Sequence, residues 1–139
     1  MVNKNVSKFS EWHYNNLYAN YKIGEGTTIG SFCDIAGTIG KDCIIQSFAF
    51  IPEGVTIEND VFIGPSVTFL NDKYPPSRRE EWEEVLVKAG AVIGGSAVIL
   101  PGVTLGEGCF VGAGSVVTKS IPDGERWMGN PAKKIKDDK

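Results

Sequence analysis

Hydrophobic positions in this chain recur every sixth residue. Residues 87–122, written in sixes, place an aliphatic side chain first in each block: Val87, Ile93, Ile99, Leu105, Val111 and Val117. The fifth place is small or β-branched (Ala91, Ala97, Val103, Cys109, Ser115, Ile121), and Gly90, Gly102, Gly108 and Gly114 hold the fourth. This period fits neither a helix nor one long alternating strand. It fits short strands broken by tight turns, with glycine supplying positive φ at the turn.

The same phase runs upstream. Blocks begin at Ile23 and Ile29, a four-residue block IAGT follows, and the sixes resume at Ile39, Ile45, Ile51, Ile57 and Ile63. Phe69 opens a further block, after which the pattern fails. The next leading slots would be Pro75 and Glu81, neither suited to a core, and phase returns at Val87. Residues from about 73 to 85 (KYPPSRREEWEEV) are therefore expected to leave the wall as an excursion, and loops on rigid scaffolds often carry function.

Three sixes close one triangular coil, so positions eighteen apart stack and the leading residues form inward columns. Coils pile up at about 4.8 Å, the spacing of neighbouring strands. No single coil buries a core; only the stack does. An all-β solenoid with one extended loop follows. Residues 1–22 are aromatic and aperiodic (Phe9, Trp12, Tyr14, Leu17, Tyr18, Tyr21) and are expected to cap the column or reach a neighbour, with a short helix possible over Ser10 to Leu17. Residues 23–122 form the solenoid and 123–139 a C-terminal cap and tail, the turn Gly129-Asn130-Pro131 closing the last coil.

Composition narrows the classes. One domain fits 139 residues, 42% hydrophobic and 22% charged. A net charge of −3 leaves no basic surplus for nucleic acid. No apolar run is long enough to span a bilayer, and the N-terminus lacks a secretory apolar core; the expectation is a cytoplasmic protein. Cys33, Cys43 and Cys109 all fall in the fifth, small position, which marks them as reduced core residues. Without a closely spaced ligand pair, no metal is expected.

Two C-terminal segments, VGAGSVVTKSIP and GNPAKKI, together resemble the signature of hexapeptide-repeat acyltransferases that use acetyl-CoA. The stretch FLNDKYPPSR is similar to the aromatic-x-Asn-Asp-x-Tyr-Pro stretch of sugar-nucleotide N-acetyltransferases acting on dTDP-linked 3-amino-3,6-dideoxyhexoses or UDP-linked 3-amino uronic acids for surface glycans. The resemblance covers about residues 23–135. It implies a left-handed parallel β-helix, a handedness the period alone does not give. It also implies acetyl-CoA as co-substrate, a nucleotide-linked amino sugar as acceptor, and a homotrimer with sites between subunits. Phe32, Phe48, Phe50, Phe62 and Phe110, away from the leading slots, are candidates for packing between those subunits.

By the same resemblance Gly112, Ala113 and Gly114 lie along the pantetheine arm, where glycine lets backbone N–H groups approach a ligand. Lys119, Lys133 and Lys134 are candidates for the CoA phosphates. Asn71 is the first choice to orient acceptor or thioester, and Asp72 to hydrogen-bond the amine or take its proton. Asp72 is equally readable as part of an Asn-Asp turn launching the excursion, and Asn71 less so. Tyr74, Arg78 and Arg79 are candidates for the nucleotide and its diphosphate. Asp34 stands beside the short block, where some relatives carry a histidine, on the side where relatives bind the nucleotide.

Relatives that acetylate hydroxyls use a histidine base, and this chain has one histidine, His13. An amine acceptor relaxes that need, because a useful fraction is neutral near pH 7. Two other readings stay open: an O-acetyltransferase with His13 or Asp72 as base, and a non-catalytic solenoid serving assembly. The γ-class carbonic anhydrases, similar in fold, need three histidine ligands and are excluded by count.

Overall fold

The computed structural model describes residues 14–136. Its strands are almost all two residues long, and they stack into three parallel sheets of six, five and seven strands. The first sheet contains Asn16–Leu17, Asp34–Ile35, Phe50–Ile51, Thr68–Phe69, Val98–Ile99 and Val116–Val117. The second runs from Lys22–Ile23 through Thr38–Ile39, Val55–Ile57 and Val85–Val87 to Thr104–Leu105. The third runs from Thr28–Ile29 to Arg126–Gly129, with Ala132–Lys134 added antiparallel at its end. The chain visits the three in rotation, as a stacked-coil solenoid must, and the fold is the left-handed parallel β-helix that the family resemblance implies.

The registers are those of a six-residue period. Ile99 pairs with Val117, Val87 with Leu105, and Ile93 with Val111. The leading residues point inward and are buried in every coil from Ile23 to Val117. Ile121, read as a fifth-position residue from the sixes, instead bridges Leu105 and takes a leading place, because the block after Val117 is two residues short. Phe69 is the one aromatic among the fully buried residues of these columns, at 0% exposure. The fifth-position residues fill the corners of the core, and all three cysteines are there, unpaired and buried. Burial pushes their thiols up, that of Cys109 to about 11, so they are neutral packing groups.

The wall extends past both ends of the recognisable repeat. Residues 14–21 form a coil of their own: Asn16–Leu17 is a strand in register with Asp34–Ile35, so the described part of residues 10–17 is not the short helix the sequence allowed there. At the other end, Trp127 stacks in register on Val111 and packs against the core. Stacking requires only an apolar side chain at the right register, so Leu17 serves without a glycine turn beside it, whereas Trp127 follows the left-handed Gly124 as Val111 follows Gly108. The excursion also ends earlier than residue 85, because Val85 is already paired with Val55. Phe9, Trp12 and His13 lie outside the described residues.

The outward faces differ in chemistry. The second sheet shows Lys22, Thr38, Thr56, Leu86 and Thr104, whereas the third shows Ile44, Phe62, Val92 and Phe110. The first sheet carries Asn16 and Asp34 at its N-terminal end, then Phe50, Thr68, Val98 and Val116.

Candidate active site

The corner between the first and second sheets is where the period breaks. It is shortened after Ile35 and again after Val117, where Ile121 bridges Leu105 four residues on, and it is lengthened after Phe69. In one coil Ile35 reaches Thr38 through Ala36 and Gly37 alone; two coils later the chain leaves after Phe69 and returns only at Val85. Glycine is required in the short corner, because a Cβ on Gly37 would lie 2.6 Å from the carbonyl oxygen of Val55. A shortened corner beneath a lengthened one leaves a cleft of about 290 Å³. Tyr18, Asp34, Ala36 and Phe50 line it from the solenoid, Pro52 and Glu53 from the intervening corner, and Asn71 and Trp82 from the loop.

Asn71 stands at the loop's root. Its side-chain amide donates to the Glu53 carbonyl one coil below (2.8 Å), and its own carbonyl accepts the Glu83 N–H (2.8 Å). The two ends of the excursion are thereby tied together at the cleft. Asp72 turns the other way. One carboxylate oxygen accepts the Ser77 N–H (2.8 Å) and the other the Ser77 hydroxyl, which hold the group below the ordinary carboxylate range. These are the contacts of a loop staple, and Asp72 is not among the residues lining the cleft.

Arg79 forms an ion pair with Glu53, its Nε donating at 3.0 Å, and so binds the loop's short 3-10 turn to the cleft rim. The pair holds Glu53 below its usual range. Arg78 is exposed, with its backbone N–H capping that turn against Glu81 (3.0 Å). Tyr74 is 78% exposed, and the Lys73 ammonium lies 5.8 Å from its ring centre. Neither Arg78 nor Tyr74 lines the cleft, whereas Trp82, which sequence reasoning noted only as part of the excursion, forms a wall of it.

Asp34 presents an incomplete set of partners. Its Oδ2 accepts from the Asn16 amide (3.2 Å) and the Tyr18 hydroxyl (3.3 Å). Its Oδ1 is buried and has no hydrogen-bond partner among the described residues.

Gly112, Ala113 and Gly114 occupy the opposite edge of the first sheet, at the corner entering it from the third. A Cβ on Gly112 would lie 2.9 Å from Met128 Cβ, and Ala113 and Gly114 are exposed. Ser115 locks the corner: its hydroxyl donates to the Gly112 carbonyl (2.7 Å) and accepts the Gly129 N–H (3.1 Å). Lys133 is paired across strands with Met128, which brings it to this corner. Lys134 is bound to Glu125 (3.3 Å), whose carboxyl the Trp127 indole N–H and then Lys134 hold below its usual range. Lys119 follows the first sheet's last strand and so belongs to the loop's edge, apart from Lys133 and Lys134. Among the described residues, no three His, Cys, Asp or Glu side chains are grouped to hold a metal, and no helix is long and apolar enough to cross a membrane.

The sequence matches the family described as bacterial transferase hexapeptide (six repeats) over residues 37–71 and 84–119, more than half of the chain. It is 41% identical over 90 residues to the serine acetyltransferase of Buchnera aphidicola, covering 60% of this chain and 29% of that one. It is 30% identical over 116 residues to the bifunctional protein GlmU of Rubrobacter xylanophilus, covering 83% of this chain and 24% of that one. In structure it is similar to a mutant perosamine N-acetyltransferase of Caulobacter crescentus, solved in complex with CoA and GDP-perosamine. That likeness has a TM-score of 0.77 at 27% identity, over 88% of this chain and 54% of that one. The chain spans between about a quarter and a half of the length of the curated relatives it matches. With the repeat, the register and the family match in agreement, the chain belongs to the bacterial transferase hexapeptide family.

Proposed function

We propose that this chain transfers the acetyl group of acetyl-CoA to the amino group of a nucleotide-linked amino sugar. The observation that carries the reading is the cleft: its walls combine the Asp34 carboxylate with the rings of Tyr18, Phe50 and Trp82. An amino sugar presents the matching pair, a basic nitrogen and an apolar ring face. The likeness to a CoA- and GDP-perosamine-bound N-acetyltransferase supports the same reading.

In this reaction the amine nitrogen's lone pair forms the new C–N bond to the thioester carbon. The C–S bond breaks, and the proton leaving nitrogen ends on the thiol. The protein supplies position and hydrogen bonds more than proton transfer, since the neutral fraction of a sugar amine is already nucleophilic. Asn71, fixed through Glu53, orients the acceptor at the loop's root. Asp72 shapes the loop through Ser77, and its carboxylate, already occupied, leaves proton removal to solvent or to the thiolate. Gly112 to Gly114 receive the pantetheine arm, with Lys133 the lysine placed to meet a CoA phosphate; Lys119 and Lys134 belong to other surroundings.

The cleft and the glycine corner lie on two edges of one sheet, so a neighbouring subunit is needed to close the space over it. The apolar outward columns of the third sheet and of the upper first sheet suit a homotrimer assembled around that edge, in the cytoplasm where both substrates are soluble.

A thiol-release assay with acetyl-CoA and a panel of dTDP-, UDP- and GDP-linked amino sugars tests the reading. Turnover on an amino-sugar nucleotide is expected, with kcat/KM falling on the order of 100-fold in Asn71→Ala. Turnover confined to hydroxyl acceptors would replace it with O-acetylation, and failure to bind acetyl-CoA would leave a non-catalytic solenoid.

A further inference from the structure

Asp34 spends two donors on one oxygen and none on the other. Oδ2 is held by Asn16 and Tyr18, both from the first coil, which fixes the direction of the carboxyl group. Oδ1 is buried, without a donor among the described residues, and Asp34 lines the cleft. Its neighbour in register on the adjacent strand is Phe50, whose side chain has no hydrogen to donate. A buried carboxylate oxygen without a partner is rare in native structures, because water has been removed and nothing replaces it. The short corner explains why the oxygen reaches the cleft: with only Ala36 and Gly37 following Ile35, no larger side chain covers it on that side.

We propose that Asp34 is the residue that selects an amine over a hydroxyl, its free oxygen accepting an N–H of the acceptor's amino group. This rests on the amino-sugar reading above and assigns the specificity within it. A carboxylate accepts a charge-assisted hydrogen bond from either group, but a protonated amine adds the attraction of opposite charges, which a hydroxyl lacks. The bound ammonium gives one proton to solvent before its lone pair attacks. The amine then lies between the solenoid and the loop, with Trp82 as the apolar wall for the sugar ring and Asn71 in the same loop-side lining. Asp34 holds the acceptor while taking no part in bond making, so its loss is read in binding and KM more than in kcat.

The test uses pairs of nucleotide sugars that differ only in amine against hydroxyl at one carbon: dTDP-3-amino-3,6-dideoxygalactose with dTDP-fucose, and GDP-perosamine with GDP-rhamnose. Calorimetry on the intact protein is expected to show one amine bound about 10- to 100-fold more tightly than its hydroxyl partner. Asp34→Asn keeps the shape and an acceptor for Asn16 and Tyr18. It is expected to abolish that preference, raise the acceptor KM by the same factor and leave the acetyl-CoA KM and the melting temperature unchanged. Equal binding of both members by the wild type, or an unchanged preference in Asp34→Asn, overturns the proposal. Amine preference without acetyl transfer would leave the Asp34 site standing and remove the transferase reading; transfer without amine preference would do the reverse.

Discussion

The two edges that flank the first sheet are built from the same repeat and behave in opposite ways. At the edge entering the sheet from the third, every corner between Gly30 and Ser115 has four residues, and each carries a left-handed residue at the same place: Phe32, Phe48, Ser66, Ser96 and Gly114. Coils touch there through backbone, and a Cβ on Gly94 would lie 2.5 Å from the Ala113 nitrogen. At the edge leaving the sheet, corner length falls to two residues at Ala36 and Gly37 and rises to fifteen over residues 70–84. The difference teaches that the solenoid's stability is held in strand register and in one set of tight corners. That leaves another corner free to vary and to build a cleft.

The largest effect that would break this comparison is at Phe69, the core residue from which the loop departs. Phe69→Ala should cost about 3–5 kcal/mol in denaturant unfolding, because the cavity lies in the inward column. A loss below about 1 kcal/mol would mean the loop's root is not anchored in the core.

Next in size is a pair of changes, one at each edge. Gly94→Ala should cost about 1–3 kcal/mol, since the backbone of the next coil has to shift to admit the methyl group. A Gly-Ser insertion after Lys73, in the long corner, should cost less than about 1 kcal/mol, because loop-closure entropy grows slowly with length. Similar losses at both sites in chemical denaturation would erase the distinction between the edges.

Asp72→Asn should act on the loop alone. Cleavage by trypsin at Arg78 and Arg79 should accelerate and kcat/KM fall on the order of 10-fold, with the melting temperature unchanged. Ser77 depresses the Asp72 pKa. Its contribution to loop order is therefore complete above the unfolded value, near 3.9, and is lost as pH falls through the lower folded value. Loop protection in the wild type should accordingly be flat from pH 8 to about 4 and decline below it. A decline near pH 6 would assign the loop's order to another group.

The smallest effect sharpens the regular side. Cys33, Cys43 and Cys109 sit in regular corners with raised thiol pKa values. Alkylation at pH 8 should be negligible in the native protein and complete in denaturant. Rapid native labelling of Cys33 would show that the tight edge opens locally.

The sequence alone determined the period, the inward columns and the place of the excursion, because each coil must present an aliphatic side chain at the same register to bury anything at all. Through the resemblance it also pointed to Asn71, which lines the cleft. The ends were less legible: Leu17 and Trp127 complete coils by stacking on coils already formed, and a stack asks only for an apolar side chain in register. Only the tertiary structure decided that the loss at Ala36 and Gly37 and the gain at residues 70–84 fall on one corner, two coils apart. It likewise moved Lys119 away from Lys133, gave both oxygens of Asp72 to Ser77, and left one oxygen of Asp34 without a donor. The physical reason is the same in each case. Repetition in sequence fixes which side chains face the core, while a cleft is made by what neighbouring coils leave uncovered.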